Sequence, residues 1–236
     1  MAISLSIDQN ACSQFLVRYN MNQEYKNKLA EIWNGRYASS AYLYGEQPNH
    51  YLKEQLEKLP VGRILFAGEG EGRNAVYAAK RGWQVSAFDI SWEGKRKALQ
   101  LADKEDVHID YHVGELDDLD YEEEKFDVIA LIFTHFREEE RVAIHKRLEG
   151  HLRPGGTLIL EAFSRNHVQH QASNPNAGGP KDPTMLYSLE DLRKDFPQLD
   201  VLEMNEKVVE LSEGILHNGW SSVIRFTGRK KAEAVD

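Results

Sequence analysis

Between Val61 and Phe163, short apolar runs alternate with stretches of helical periodicity. That order is what parallel strands joined by crossover helices require, because each buried strand needs a helix to cover it. Arg63–Ala67 reads as the first strand. Gly72–Arg81 follows as a helix that turns Ala75, Val76, Ala78 and Ala79 toward a sheet and ends at Gly82. Trp83–Phe88 is the second strand, and Ser91 stands where the N-cap of a helix running to about Asp103 belongs. Phe126–Phe133 is a continuous apolar strand. A helix over Glu138–His151 comes next, and Pro154-Gly155-Gly156 turns the chain into a strand over Thr157–Phe163.

The third strand carries a different pattern. In Val107–Val113 apolar residues alternate with His108, Asp110 and His112, so one face is wet, as at the edge of a sheet. In the common doubly wound order the third strand is an edge. Beyond a helix over Ser188–Asp195, two β-rich runs, Val201–Leu211 and Trp220–Gly228, flank a glycine-containing loop and predict a terminal hairpin. The expected fold is therefore α/β: a Rossmann-like, doubly wound, mostly parallel sheet with a C-terminal antiparallel hairpin.

Where the first strand hands over to its helix, the chain reads Gly68-Glu69-Gly70-Glu71-Gly72-Arg73-Asn74. Glycines at such a junction let a ligand approach the backbone. They also serve plain tight turns, and Gly70 is glycine either for that approach or because its φ is positive. Asp89 lies about 20 residues further on, at the end of the second strand, where a carboxylate can accept both hydroxyls of a ribose. The alternative is a carboxylate that only caps the next helix. A dinucleotide fingerprint wants a glycine where Arg73 stands, and no phosphate-cradling Gly-Lys-Ser or Gly-Lys-Thr occurs.

Composition removes several classes of function. A formal charge of -9, with basic residues clustered only in the short tail Arg229–Lys231, disfavours nucleic acid as partner. No stretch approaches membrane-spanning length, and Met1–Asn10 reads as neither signal peptide nor anchor. A lone Cys12 leaves no intrachain disulfide and no thiolate cluster for zinc, which fits a reducing, cytoplasmic setting. The 236 residues, 41% of them apolar, suffice for one core, with residues 1–50 as an N-terminal helical lid segment and 51–236 as the main domain.

In order over about 200 residues, the runs Gly68–Ala75, Val85–Ser91, Gly114-Glu115-Leu116, Phe126–Ile129 and Leu152–Gly156 resemble class I S-adenosylmethionine-dependent methyltransferases. The resemblance is closest to the tellurite-resistance-type branch and more distant to the thiopurine type. It implies S-adenosylmethionine as cofactor and a small-molecule acceptor, possible soft nucleophiles being a chalcogen oxyanion or a thiol. By the same resemblance Gly68, Gly70, Gly72 and Asn74 border the cofactor. Asp89 with Ile90 binds the ribose, and Glu115 with Leu116 reads the adenine. Ile132 and Phe133 lie near the amino-acid end, and Trp33 and Tyr44 belong to an aromatic lid. One departure is Phe66, where much of the superfamily has an acidic residue before the loop. Glu69 or Glu71 is the expected substitute for the cofactor's ammonium group.

Methyl transfer from a sulfonium needs alignment more than a base. Where the acceptor is an oxygen or nitrogen acid, His135, just past the fourth strand, is the expected catalytic base. No Asn/Asp-Pro-Pro-aromatic motif follows that strand, which disfavours amide and adenine-nitrogen acceptors. His108, Asp110 and His112 share a strand face and suggest edge solvation rather than a metal site, so no metal is expected. His167 and His170 fall in a long loop, Ser164–Pro183, expected to cover the acceptor together with Glu161. Two other functions suit the same sheet: a nicotinamide-dependent oxidoreductase and a nucleoside-binding module without chemistry.

Overall fold

A computed structural model describes residues 9–232, with side chains from Gln23 onward. Residues 1–8, the side chain of Cys12 and residues 233–236 lie outside that description. Seven strands form one sheet: β1 (Arg63–Ala67), β2 (Gln84–Asp89), β3 (Asp110–Val113), β4 (Phe126–Ile132), β5 (Leu152–Phe163), β6 (Leu199–Ser212) and β7 (Asn218–Lys230). Their order is β3-β2-β1-β4-β5-β7-β6. The first five run parallel, and β7 lies antiparallel between β5 and β6. The doubly wound sheet and its terminal hairpin are as the sequence predicts.

Seven helices accompany the sheet: α1 (Gln9–Tyr37), α2 (His50–Leu56), α3 (Arg73–Lys80), α4 (Trp92–Lys104), α5 (Glu138–His151), α6 (Val168–Ser173) and α7 (Leu189–Asp195). Alternate residues of the central strands bury to opposite faces. Ile64, Phe66, Val85 and Ala87 pack with α2, α3 and α4. Leu65, Ile129, Leu131 and Leu160 pack with Leu148 of α5 and with Leu192 and Phe196 around α7. Burial on both faces is why these strands read as unbroken apolar runs.

Several boundaries differ from expectation. The third strand pairs with β2 only over Asp110–Val113, although it does form the edge. Phe133 leaves β4 with φ +54, which turns the chain out of the sheet. Pro154-Gly155-Gly156 does not precede a new strand but bulges within β5, since Phe126 faces Leu152 while Val128 faces Thr157. The segment after Phe163 is not structureless. Ser164, Asn174 and Asp182 each accept a backbone N–H two residues on and nucleate short helical turns too brief to show a period. Between β3 and β4 the chain forms a helical turn at Leu116–Asp118 and no full helix, and a groove of about 530 Å3 opens at the N-terminal strand ends, lined by Gln84, Ser86, Asp110 and Lys125. That groove lies at the opposite end of the sheet from the glycine loop.

Candidate active site

The glycine loop is built by its neighbours. The Phe88 carbonyl accepts the N–H groups of Gly68 and Glu69, which ties the end of β1 to β2. Gly68, Gly70 and Gly72 all have positive φ (+65, +65 and +91), so each position favours glycine on backbone grounds alone. At Gly70 an added Cβ would also stand 2.7 Å from the Tyr37 hydroxyl oxygen. Both reasons for a glycine there hold together, and alanine at 70 would strain the fold as well as crowd the loop.

Asp89 closes the loop from the other side. Its Oδ2 accepts the Gly70 N–H at 2.9 Å and its Oδ1 accepts the Ser91 N–H at 2.9 Å, leaving lone pairs on both oxygens. Burial pushes this carboxyl up to about 6, against the backbone N–H groups of Ser91, Gly70 and Ile90, which hold it down. Glu69 turns back onto α3, where Oε1 accepts the N–H groups of Asn74 and Ala75. It thereby caps a helix whose own N-cap, Gly72, has no side chain. Burial raises Glu69 to about 7.

Both carboxyls therefore bind protons more tightly folded than unfolded. Their contribution to stability is fully present below about pH 4 and is lost as pH rises through 6 to 7. The melting temperature of the ligand-free protein is expected to fall between about pH 5 and 7.5. Glu69→Gln keeps the capping acceptor and should flatten its part of that fall. A Glu69→Gln variant with an unchanged slope would contradict the buried, proton-holding position of Glu69.

Helix α1 crosses the C-terminal ends of the strands. Arg137, after β4, stacks its guanidinium 4.1 Å from the Tyr25 ring. Lys26 pairs with Glu115, after β3. The Asn34 Oδ1 accepts from the Ser91 hydroxyl at 2.7 Å, after β2. Tyr37, 4% exposed, reaches the glycine loop after β1. Of the two aromatic picks, Trp33 stacks behind Tyr37 at 5.3 Å, and Tyr44 packs 4.5 Å from His217. Tyr37, not named for the lid from sequence, is the aromatic that touches the glycine loop.

Glu71 is spent elsewhere. Its Oε1 is paired with Lys97 of α4 and its Oε2 accepts the Tyr44 N–H at 3.3 Å. Lys97 also donates to the carbonyls of Ser39 and Ala41, so this pair fastens the loop after α1. Its charge is therefore already balanced by Lys97 rather than free to meet an ammonium group. Asn74 is likewise committed, accepting the Asn49 N–H at 2.9 Å. Leu116 is buried beside Phe88, Ile90 is half-buried, and Ile132 belongs to the core.

His135 has no free nitrogen in this structure. Nδ1 lies 2.7 Å from the Met185 carbonyl and Nε2 accepts the Phe163 N–H at 3.2 Å, which fixes the tautomer with the hydrogen on Nδ1. Burial pushes the imidazole down to about 4. That is the geometry of a structural histidine rather than the expected base. His167 is used in the same way, between the Ser222 N–H and the Gly178 carbonyl. His112 and Asp110 meet at 3.1 Å on the exposed edge.

A second cluster stands at the ends of β4, β5 and the β6–β7 turn, of which the sequence pointed to Phe133 and Glu161 but not to Glu213 or His217. Phe133 stacks on Phe163 at 4.6 Å, and the His217 ring stands edge-on to Phe133 at 4.4 Å. Glu213, four residues before His217, accepts from Arg73 at 2.7 Å and from Asn49 at 3.0 Å. Arg73 holds its carboxyl down to about 2. Glu161, fully buried, lies between Asn49 and Arg225. The turn carried no periodic signal, and only its two glycines marked it.

The residues suit S-adenosylmethionine. A held carboxylate with free lone pairs at Asp89 matches ribose hydroxyls, and the three glycines of the loop beside it put no side chain of their own between a ligand and the backbone. The comparisons agree. A family model described as a methyltransferase domain matches residues 64–156. A ubiquinone biosynthesis O-methyltransferase of Xanthomonas campestris pv. campestris (strain B100) is 32% identical over 176 residues, 72% of this chain and 73% of that protein. A protein named Probable S-adenosyl-L-methionine-dependent methyltransferase TehB, of Haemophilus influenzae (strain 10810), is 24% identical over 63% of this chain and 50% of its own length. A solved structure from work on the conversion of a disulfide bond into a thioacetal group during echinomycin biosynthesis superposes with TM-score 0.71 at 21% identity, over 88% of this chain and 93% of that one.

Proposed function

The chain belongs to the class I S-adenosylmethionine-dependent methyltransferases, and on that premise we propose that it methylates a small molecule held over the ends of β4 and β5, beneath α1. The observation that carries this reading is the meeting of two sites under one cover. The Asp89 loop lies under Tyr37, and the Phe133–Phe163–His217 cluster lies under Tyr44, from the same N-terminal segment. Bound S-adenosylmethionine would supply a methyl carbon already activated on a sulfonium. What the protein adds is alignment and the exclusion of water.

The residues divide this work. Asp89 and the Gly68–Gly72 backbone hold the cofactor's nucleoside side, with Ile90, Glu115 and Leu116 beside the adenine. Phe133 and Phe163 form an apolar floor for the acceptor. Helix α1 and the loop after it act as a lid, fastened by the Lys97–Glu71 pair and by the Leu43 carbonyl, which accepts the N–H groups of Ile215 and Leu216. With Glu71 balanced by Lys97 and only Oε1 of Glu69 engaged in capping α3, we assign the cofactor's ammonium group to Glu69 Oε2 together with backbone carbonyls of the loop.

A soft nucleophile such as a thiol or chalcogen oxyanion suits the apolar floor, and a hydroxyl suits it equally, as in the O-methyltransferase relative. The charge of -9 argues against nucleic acid as acceptor, and the lone Cys12 fits the cytoplasm. No helix among the described residues is long and apolar enough to cross a membrane. Incubation of the protein with methyl-labelled S-adenosylmethionine and a deproteinised, nuclease-treated cell extract should move label into the small-molecule fraction. Label found instead in added protein or RNA would contradict the proposal.

A further inference from the structure

We propose that His217 is the general base for a protic methyl acceptor, a hydroxyl or thiol bound against Phe133, Phe163 and Tyr44, with Glu213 and Arg73 as positioning residues. The inference rests on the methyl-transfer reading and narrows its acceptor class.

Two buried polar atoms of this cluster lack any hydrogen-bond partner, His217 Nδ1 and Arg73 Nη1. His217 is 5% exposed and Arg73 6%. Buried donors left unpaired are costly, and these two flank the Glu213 carboxylate at the ends of β4 and β5. The Glu213 Oε2 lies 3.9 Å from His217 Nδ1, beyond hydrogen-bond reach but close enough to favour the tautomer with hydrogen on that nitrogen. The lone pair then falls on Nε2, on the side of Gly178, where an added Cβ would stand 3.1 Å from it.

The ring is fixed on its other sides. Tyr44 packs at 4.5 Å, Phe133 at 4.4 Å and Phe163 at 5.2 Å. Charged and titratable groups reach it from each packed element: Glu213 on its own turn, Arg73 on α3, Arg36 and Tyr44 from α1 and the loop after it, and His135 and His167 beyond Phe163. Burial lowers the imidazole, and Arg73 and Arg36 lower it further against the pull of Glu213, so the ring presents a lone pair rather than a second proton.

In the step itself the acceptor's O–H or S–H bond breaks and its proton passes to Nε2. The freed electron pair forms a bond to the methyl carbon as the carbon–sulfur bond of the sulfonium breaks toward sulfur. The products are a methyl ether or thioether, S-adenosylhomocysteine and an imidazolium. A chalcogen oxyanion, already ionised, would need none of this.

The test uses catechol, protonated at pH 7.5, and thiophenol, already a thiolate there, as acceptors for the full chain with saturating S-adenosylmethionine. His217→Gln should lower kcat for catechol by about 100-fold or more and lower it far less for thiophenol. It should also remove the acidic limb of the catechol pH profile while S-adenosylhomocysteine affinity holds, and added imidazole should restore part of the rate in His217→Ala. Equal losses on both acceptors would reduce His217 to packing, and a wild-type enzyme that binds S-adenosylhomocysteine but leaves catechol unmethylated would overturn the acceptor class. Failure to bind S-adenosylhomocysteine at all would overturn the methyl-transfer reading beneath it.

Discussion

Asp89→Ala is expected to weaken S-adenosylhomocysteine binding by about 1.5 to 3 kcal/mol, roughly 10- to 150-fold, because a carboxylate on two ribose hydroxyls makes charge-assisted hydrogen bonds. The same substitution orphans the N–H groups of Gly70 and Ser91, which Asp89 accepts at 2.9 Å each. Each unpaired buried donor costs about 1 to 3 kcal/mol, so the ligand-free variant should also unfold at lower denaturant. Affinity must therefore be measured on folded protein by calorimetry, below the onset of unfolding. A folded Asp89→Ala with normal affinity would remove Asp89 from the site and leave it a loop staple.

The second large effect concerns Lys97. Its ammonium and the Glu71 carboxylate are both about 2% exposed at the side chain, and Lys97 also lies 4.6 Å from the Tyr42 ring centre. Lys97→Met strands a buried carboxylate, a change that costs about 3 to 5 kcal/mol in comparable pairs. Denaturant unfolding should show that loss. Because the ammonium also holds the carbonyls of Ser39 and Ala41, the loop after α1 should become more open to proteolysis in the same variant. A double variant, Lys97→Met with Glu71→Gln, should regain much of the stability, since the stranded charge is gone. A single variant as stable as wild type would mean that the pair fastens nothing.

How far the sequence foretold this follows from what each signal measures. Strands buried on both faces, such as Arg63–Ala67, announce themselves by apolarity, and the wet pattern of His108, Asp110 and His112 placed β3 at the edge. The glycine loop and Asp89 were legible because their chemistry is local: a turn with positive φ, and a carboxylate at a strand end. The acceptor side was legible only at Phe133 and Glu161. Its members, Phe133, Phe163, Arg73, Glu213 and His217, come from four places in the chain, the last two sharing the β6–β7 turn, and meet only in the fold. His135 drew the base assignment by standing just past β4, and two backbone groups, from Met185 and Phe163, consume its nitrogens. Glu71 suggested an ammonium partner by its place in the loop, and Lys97, on the next helix, had already taken it.

The central claim is that the Asp89 loop beneath α1 receives S-adenosylmethionine and no dinucleotide. Titration calorimetry of the intact protein with S-adenosylhomocysteine and, separately, with NAD tests it most directly. Saturable one-to-one binding of S-adenosylhomocysteine, with no heat from NAD, is the predicted result; saturable binding of NAD with none of S-adenosylhomocysteine would contradict it.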